Sequence, residues 1–231
     1  MKLLADEYKQ AAAEKALELV SDGMLIGLGS GSTAAFFVAG LARLVSDGMK
    51  VRAVPSSRST AELAASLGIQ IVTELVGQID LTVDGADEVD PSLDLIKGRG
   101  GALFREKLVA EASKRFVVVV DESKLVKQLG VGVLPVEVVP FLWRSTAERI
   151  AALGVSLVVR GGEETPYVTD NGNLILDLTV EGGVKDPAGF GVELKKATGV
   201  VEHGLFVGMT DTVIAAGPEG PRAIGRPASR R

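Results

Sequence analysis

Met24-Leu-Ile-Gly-Leu-Gly-Ser-Gly-Ser-Thr33 decides the architecture. Its first five residues form an apolar run of strand length, and Gly29-Ser-Gly-Ser32 follows as a cluster of small and hydroxyl residues. From Thr33 to about Val45 the apolar residues return at helical spacing. Strand, glycine-rich turn and helix in that order describe a β–α unit whose helix crosses over to a parallel neighbour. Upstream, Asp6 to Val20 carries an apolar stripe through Ala12, Ala16 and Leu19 and predicts a helix. Downstream, Val51 to Val54 predicts a strand ended by Pro55, and Ser59-Thr-Ala-Glu62 has the form of a capping box opening the next helix. Asp80 to Val83 and Phe116 to Val120 read as further strands, the second preceded by a helix over Leu103 to Ser113. Such alternation predicts an α/β fold with a Rossmann-like, mostly parallel sheet covered on both faces.

The character changes after Gly130. Val131 to Pro140 reads as an extended linker with prolines at both ends of a strand. Ser145-Thr-Ala-Glu148 repeats the capping-box form and predicts a helix to about Leu153. A strand at Val155 to Val159, a hairpin turning at Asp170-Asn-Gly-Asn173, a helix near Ala188 to Thr198 and a strand near Val200 to Val207 complete a smaller α+β domain. Val213 to Ala216 is expected to return to the large domain as its last strand, with the Gly-, Pro- and Arg-rich tail from Gly217 loosely ordered. The expected division is therefore 1–130 plus 208–231 for the α/β core domain and 131–207 for the smaller one.

Composition narrows the chemistry. The 231 residues include no cysteine and a single histidine, His203, which excludes disulfides, thiolate nucleophiles, thiolate metal sites and imidazole clusters. Acid–base work must then fall to Asp, Glu, Lys, Tyr or hydroxyl groups. A net charge of −5 argues against a nucleic-acid partner. No apolar run reaches the roughly 20 residues of a membrane span, and the first ten residues turn acidic where a secretory signal would stay apolar. A soluble cytoplasmic protein is expected.

Four strands run directly into small or polar clusters: Gly29 to Ser32, Pro55 to Arg58, Asp84 to Asp87 and Asp121 to Lys124. In open α/β sheets ligands bind at the carboxyl ends of the strands, so these clusters mark the candidate site. The Gly29-Ser-Gly-Ser-Thr33 turn suits a phosphate through its N–H groups, the helix dipole and the hydroxyls of Ser30, Ser32 and Thr33. A turn that binds nothing is the plain alternative. A dinucleotide fingerprint fails, because Ser32 stands where its third glycine belongs and no acid follows the next strand. In Asp84-Gly-Ala-Asp-Glu-Val-Asp90, Ala86 breaks a Ca²⁺ ligand pattern and a Mg²⁺ site stays open. Glu88 and Asp90 read as solvated turn residues, whereas Asp84 and Asp87 begin at the proposed edge.

Glu106 is the most informative side chain. Its helical neighbours are Ala102, Leu103, Val109 and Ala110, with no Lys or Arg to pair it, whereas Glu111 has Lys107, Lys114 and Arg115. A carboxylate among small apolar neighbours tends to be desolvated and so to be a better base. Lys124 either reaches the ligand or snorkels, Lys9 reads as a face residue, and His203 as structural.

Gly29-Ser-Gly-Ser-Thr33, Asp84-Gly-Ala-Asp87, Lys97-Gly, Arg105-Glu-Lys107 and Asp170-Asn-Gly-Asn-Leu-Ile-Leu-Asp177, taken in order, resemble type A ribose-5-phosphate isomerase. The likeness runs from about Gln10 to Gly217. It implies a ferredoxin-like smaller domain, a homodimer or homotetramer, and a sugar-phosphate substrate of the pentose phosphate pathway. Neither a cofactor nor a metal is implied. By this resemblance Glu106 is the general base, Lys97 steadies the enediolate, and Asp84 and Asp87 handle hydroxyl protons and ring opening. Ser30, Gly31, Ser32, Thr33 and Lys124 would bind substrate, mainly at the phosphate end. Gly85, Ala86, Gly98, Arg99 and Gly100 would line the rest; Arg99 departs from the glycine common in relatives. Two other classes compete: a non-catalytic sugar-phosphate sensor, which needs no base at Glu106, and group transfer with Glu106 as nucleophile.

Overall fold

The structure, a computed structural model, describes residues 2–74 and 77–225. In chain order the elements are α1 (Lys2–Leu17), β1 (Leu25–Leu28), α2 (Ser32–Ser46), β2 (Arg52–Pro55), α3 (Arg58–Ser66), β3 (Gln70–Ile71), β4 (Leu81–Asp84), β5 (Glu88–Val89), β6 (Leu95–Ile96) and α4 (Leu103–Glu111). They continue as β7 (Phe116–Asp121), a 3-10 turn Glu122–Lys124, β8 (Leu134–Val138), α5 (Trp143–Ala151), β9 (Ser156–Val159), β10 (Leu174–Thr179), α6 (Pro187–Lys196), β11 (Val200–His203), β12 (Leu205–Phe206), β13 (Thr212–Gly217) and β14 (Gly220–Gly225). The chain divides into two units. The first holds the segments up to Ala86, Arg105–Lys124 and from Met209 onward; the second holds Asp87–Phe104 and Leu125–Gly208.

The first unit is built on a seven-stranded sheet in the order β14-β13-β7-β4-β1-β2-β3. All neighbours are parallel except the β13–β14 pair. Strands β1, β4 and β7 are buried along their whole length, as the continuous apolar runs require of strands covered on both faces. Ala12, Ala13 and Ala16 of α1 and Phe37 and Leu41 of α2 share one core with Ile26, Val83, Val117 and Ile214 of the sheet. Small residues on α1 let that helix lie close to the strands. Because Leu28 stands opposite both Pro55 and Val83, and Asp84 opposite Val118, the four strand ends reach the same edge. The fold class therefore follows the expectation.

In the second unit, β8-α5-β9-β10-α6-β11 forms a ferredoxin-like motif with sheet order β11-β8-β10-β9, antiparallel throughout. A separate three-stranded sheet joins the hairpin β5–β6 to β12. That pairing draws 87–104 into the second unit, where the sequence had suggested membership of the first; 125–130 moves with it.

Several boundaries differ from the sequence reading for identifiable reasons. Ser57, extended as it leaves β2, caps α3 by accepting from the Thr60 N–H at 3.1 Å, so the cap lies two residues before the expected Ser59. Helix α5 starts at Trp143 behind Leu142, which has φ 55° and makes no side-chain cap, and Ser145 lies inside the first turn. The stretch 131–140 is no linker: β8 is an inner strand between β11 and β10. Its β11 ladder stops at Val136, beside Pro135, which has no N–H to donate. The single strand expected over 200–207 breaks at Gly204, whose N–H donates to the Pro135 carbonyl and whose carbonyl accepts from the Lys97 N–H. A Cβ at 204 would collide with the Lys97 carbonyl oxygen. Gly220–Gly225, expected to be loose, is a strand paired along its length with β13; residues 226–231 of the tail lie outside the described residues.

Candidate active site

In the first unit the β1 and β4 ends interlock. Asp84 is 1% exposed, and its Oδ1 accepts from the Ser30 N–H at 3.1 Å and the Gly85 N–H at 2.7 Å. A Cβ on Gly29 would run into that carboxylate, so glycine is required by close approach. Behind the turn lies a cluster of buried hydroxyls. Thr60 Oγ1 donates to the Gly29 carbonyl at 3.0 Å and accepts from Ser57 Oγ at 2.9 Å, while Ser30 Oγ lies 2.8 Å from Ser56 Oγ. Helix α2 starts after Gly31 with no side-chain cap. The amides of Ser32 and Thr33 belong to the turn whose N–H groups have no intrahelical partner. A Cβ added at Gly85 would meet the Thr33 side chain at ordinary contact distance. At the β7 end, Asp121 holds Ser123 and the half-buried Lys124 completes the 3-10 turn.

Glu106 sits in the first turn of α4 and is 5% exposed. Ala102, Leu103, Val109 and Ala110 are buried as well. Lys107, which the sequence offered to Glu111 as a surface partner, is buried while Glu111 is exposed. Sequence reasoning missed this second buried charge on α4.

In the second unit Lys97, at the end of β6, is 2% exposed, with Nζ 5.6 Å from the centre of the Phe206 ring. Asp87 is half-buried, and its Oδ2 accepts from the Arg99 N–H at 2.9 Å. Gly98 is buried and Gly100 exposed. The Arg99 guanidinium is engaged by Glu88 at 2.8 Å. Glu88, expected to be solvated, is 2% exposed and accepts from the N–H groups of Gly130, Val131 and Gly132 at 2.6–3.1 Å. The charge added at Arg99 thus answers a buried carboxylate. Asp90 behaves as a turn residue, accepting from the Ser92 and Asp94 N–H groups.

These bonds bear on the open Mg²⁺ reading. Asp84, Asp87, Glu88 and Asp90 are each engaged by backbone N–H groups, and among the described residues no set of three or more His, Asp or Glu side chains is grouped to hold a metal ion. His203 is buried, its Nδ1 accepting from the Leu205 N–H, and Lys9 pairs with Asp6. Among the described residues no helix is long and apolar enough to cross a membrane.

Known proteins resemble this chain in sequence and fold. A sequence model of the family Ribose 5-phosphate isomerase A (phosphoriboisomerase A) matches residues 52–220. Ribose-5-phosphate isomerase A of Synechococcus sp. (strain JA-3-3Ab) is 50% identical over 221 residues, covering 94% of this chain and 96% of that protein. Ribose-5-phosphate isomerase A 1 of Oceanobacillus iheyensis is 49% identical over 211 residues, covering 90% and 94%. The solved structure of ribose 5-phosphate isomerase A from Methanocaldococcus jannaschii has a TM-score of 0.89 at 38% identity, covering 95% of this chain and 98% of that one. A D-ribose-5-phosphate isomerase in complex with phospho-erythronic acid has a TM-score of 0.92 at 38% identity, covering 96% and 99%. On this sequence and structural likeness, the chain belongs to the ribose 5-phosphate isomerase A family, a family of aldose–ketose isomerases.

Proposed function

We propose that this chain interconverts D-ribose 5-phosphate and D-ribulose 5-phosphate through an enediolate, with Glu106 as the general base. The observation that carries the reading is the burial of Glu106, at 5% exposure, with the buried apolar residues Leu103, Val109 and Ala110 at helical spacing on its own helix. Withdrawal from water disfavours the charged form of a carboxylate and so strengthens it as a base. Glu106 takes the C2 proton of the open-chain aldose; the C–H electron pair becomes the C1–C2 double bond, and the C1 oxygen takes the charge. The same carboxyl group returns its proton to C1 as the C2 hydroxyl passes its own proton to the C1 oxygen and becomes the carbonyl. No electron enters or leaves, so the step balances without a redox cofactor.

Lys97 would stabilise the charge on the enediolate oxygens, a role suited to a buried cation. Asp84 and Asp87 would carry hydroxyl protons and assist ring opening. Ser30 to Thr33 and Lys124 would hold the phosphate, with Gly85, Ala86 and Gly98 to Gly100 lining the sugar. Phospho-erythronic acid, bound by the relative above, carries a planar carboxylate resembling the enediolate and is expected to inhibit this chain as well. Assembly as a homodimer or homotetramer, tested by sedimentation velocity, and a cytoplasmic location belong to the same proposal.

The test is Glu106→Gln, assayed by ketose formation from ribose 5-phosphate. Turnover should fall at least about a hundredfold, the lower end for loss of a general base, with substrate binding largely kept. Near-normal turnover would refute the assignment.

A further inference from the structure

The Asp170 to Asp177 motif has no chemical task in the mechanism above, yet its last residue reaches one. In the second unit, Asp177 of β10 holds Arg160 in a two-point pair, Oδ2 to Nε at 2.9 Å and Oδ1 to Nη2 at 2.5 Å. The remaining guanidinium nitrogen, Nη1, donates to the carbonyl oxygens of Gly98 and Arg99, each at 3.0 Å. Both side chains are mostly buried, at 16% and 14% exposure, and the guanidinium lies 5.9 Å from the Tyr167 ring centre. Arg160 begins from a fixed point, since its own N–H donates to the Ile175 carbonyl at 2.9 Å.

A peptide unit is planar, so its carbonyl and the following N–H point in opposite directions. The plane joining Gly98 to Arg99 is therefore held at both ends. Its carbonyl meets Arg160, and its N–H donates to Asp87 Oδ2 at 2.9 Å. We propose that Arg160, oriented by Asp177, is a positioning residue that sets the Asp87 carboxylate through the Gly98–Arg99 peptide. This rests on the functional reading of Asp87 given above. A cation on the carbonyl also polarises the peptide and strengthens its N–H as a donor. Lysine could not replace arginine here, because a single ammonium cannot grip a carboxylate at two points and still reach two carbonyls.

The test compares wild type, Arg160→Met and Arg160→Lys, each also in an Asp87→Asn background. The readouts are steady-state kinetics with ribose 5-phosphate and hydrogen exchange of the Arg99 amide. Arg160→Met should lower kcat/KM about tenfold or more, and Arg160→Lys by less. In the Asp87→Asn background the same substitutions should cost no more than about twofold, because residues acting through one another are not additive. A merely structural role would cost the same in both backgrounds. The Arg99 amide should exchange at least tenfold faster in Arg160→Met while the amides of β8 and β10 keep their rates. Equal losses in both backgrounds, or an unchanged Arg99 rate, would overturn the proposal. Should Arg160→Met fail to fold, Arg160→Lys carries both readouts. A wild type that leaves ribose 5-phosphate untouched would sink the functional reading instead, and the exchange measurement would still decide the tether.

Discussion

Thr60→Val removes one hydroxyl and keeps the shape of the side chain. Thr60 is 6% exposed, so water cannot easily substitute. Its hydroxyl donates to the Gly29 carbonyl at 3.0 Å and accepts from Ser57 Oγ at 2.9 Å. Stranding a buried carbonyl costs about 1–3 kcal/mol, and losing the second bond about 1 kcal/mol more. The sum, about 2–4 kcal/mol, should lower Tm by roughly 4–16 °C for a chain of this length. The functional loss has its own route. The Gly29 carbonyl and the Ser30 N–H share one peptide plane, and that N–H donates to Asp84 Oδ1 at 3.1 Å. Freeing the carbonyl lets the plane tilt and the aspartate with it, and a small misplacement at a reacting group can cost as much as a hundredfold. Calorimetry and ribose 5-phosphate kinetics on Thr60→Val and Thr60→Ser separate the cases. Serine, which keeps the hydroxyl, should restore most of both losses. If the valine variant melts within about 1 °C of wild type with kcat/KM within about twofold, the hydroxyl cluster does not hold the loop.

Gly29→Ala should cut kcat/KM at least about tenfold in the same assay, since the new methyl group collides with the Asp84 carboxylate. Glu88→Gln puts an amide N–H₂ against N–H donors and unbalances Arg99. Because the Arg99 side chain is 36% exposed, water takes up its charge and the loss falls on the N–H donors. At about 1–3 kcal/mol, Tm measured by calorimetry should drop roughly 2–12 °C. Asp80 is held below the ordinary aspartate range, first by its hydrogen bond from Lys114 and then by the Leu25 N–H. A depressed pKa stabilises the fold above the unfolded value of 3.8 and ceases to do so as pH falls through the folded one. Asp80→Asn should therefore melt below wild type at pH 6, with the gap closing as the pH drops under 3.8. Exhaustive EDTA treatment should leave isomerase activity within about twofold; dependence on an added divalent ion would revive the acidic-loop metal site.

The alternation of strand and helix was legible because strands buried on both faces must be apolar throughout, as Val117 to Val120 are. The burial of Glu106 was legible for a related reason, since its neighbours at helical spacing are uncharged. Strands of two residues such as β5, β6 and β12 carry no period to detect, so their sheet and the membership of 87–104 went unseen. The Gly-Pro-Arg composition of 220–222 likewise reads as coil until β13 offers an edge. Glu88 looked like a turn residue because the amides that bury it lie 42–44 positions further along. Arg160 was invisible for the same cause, its loop partners lying 61 and 62 positions away.

Thr60 and Arg160 share one job. Gly29–Ser30 and Gly98–Arg99 are each a peptide whose carbonyl is taken by a buried or half-buried side chain from elsewhere in its own unit, Thr60 or Arg160. In each, the N–H at the far end of the plane meets an aspartate proposed to move hydroxyl protons, Asp84 or Asp87. Proton transfer needs its groups placed before substrate arrives, and a short carboxylate on a glycine-rich loop has little of its own to hold it. Fixing the peptide from behind supplies that placement. Motif spacing records the aspartates and the glycines, which must lie close in sequence. The side chains behind the carbonyls need only be close in space, so the folded chain is where they become readable.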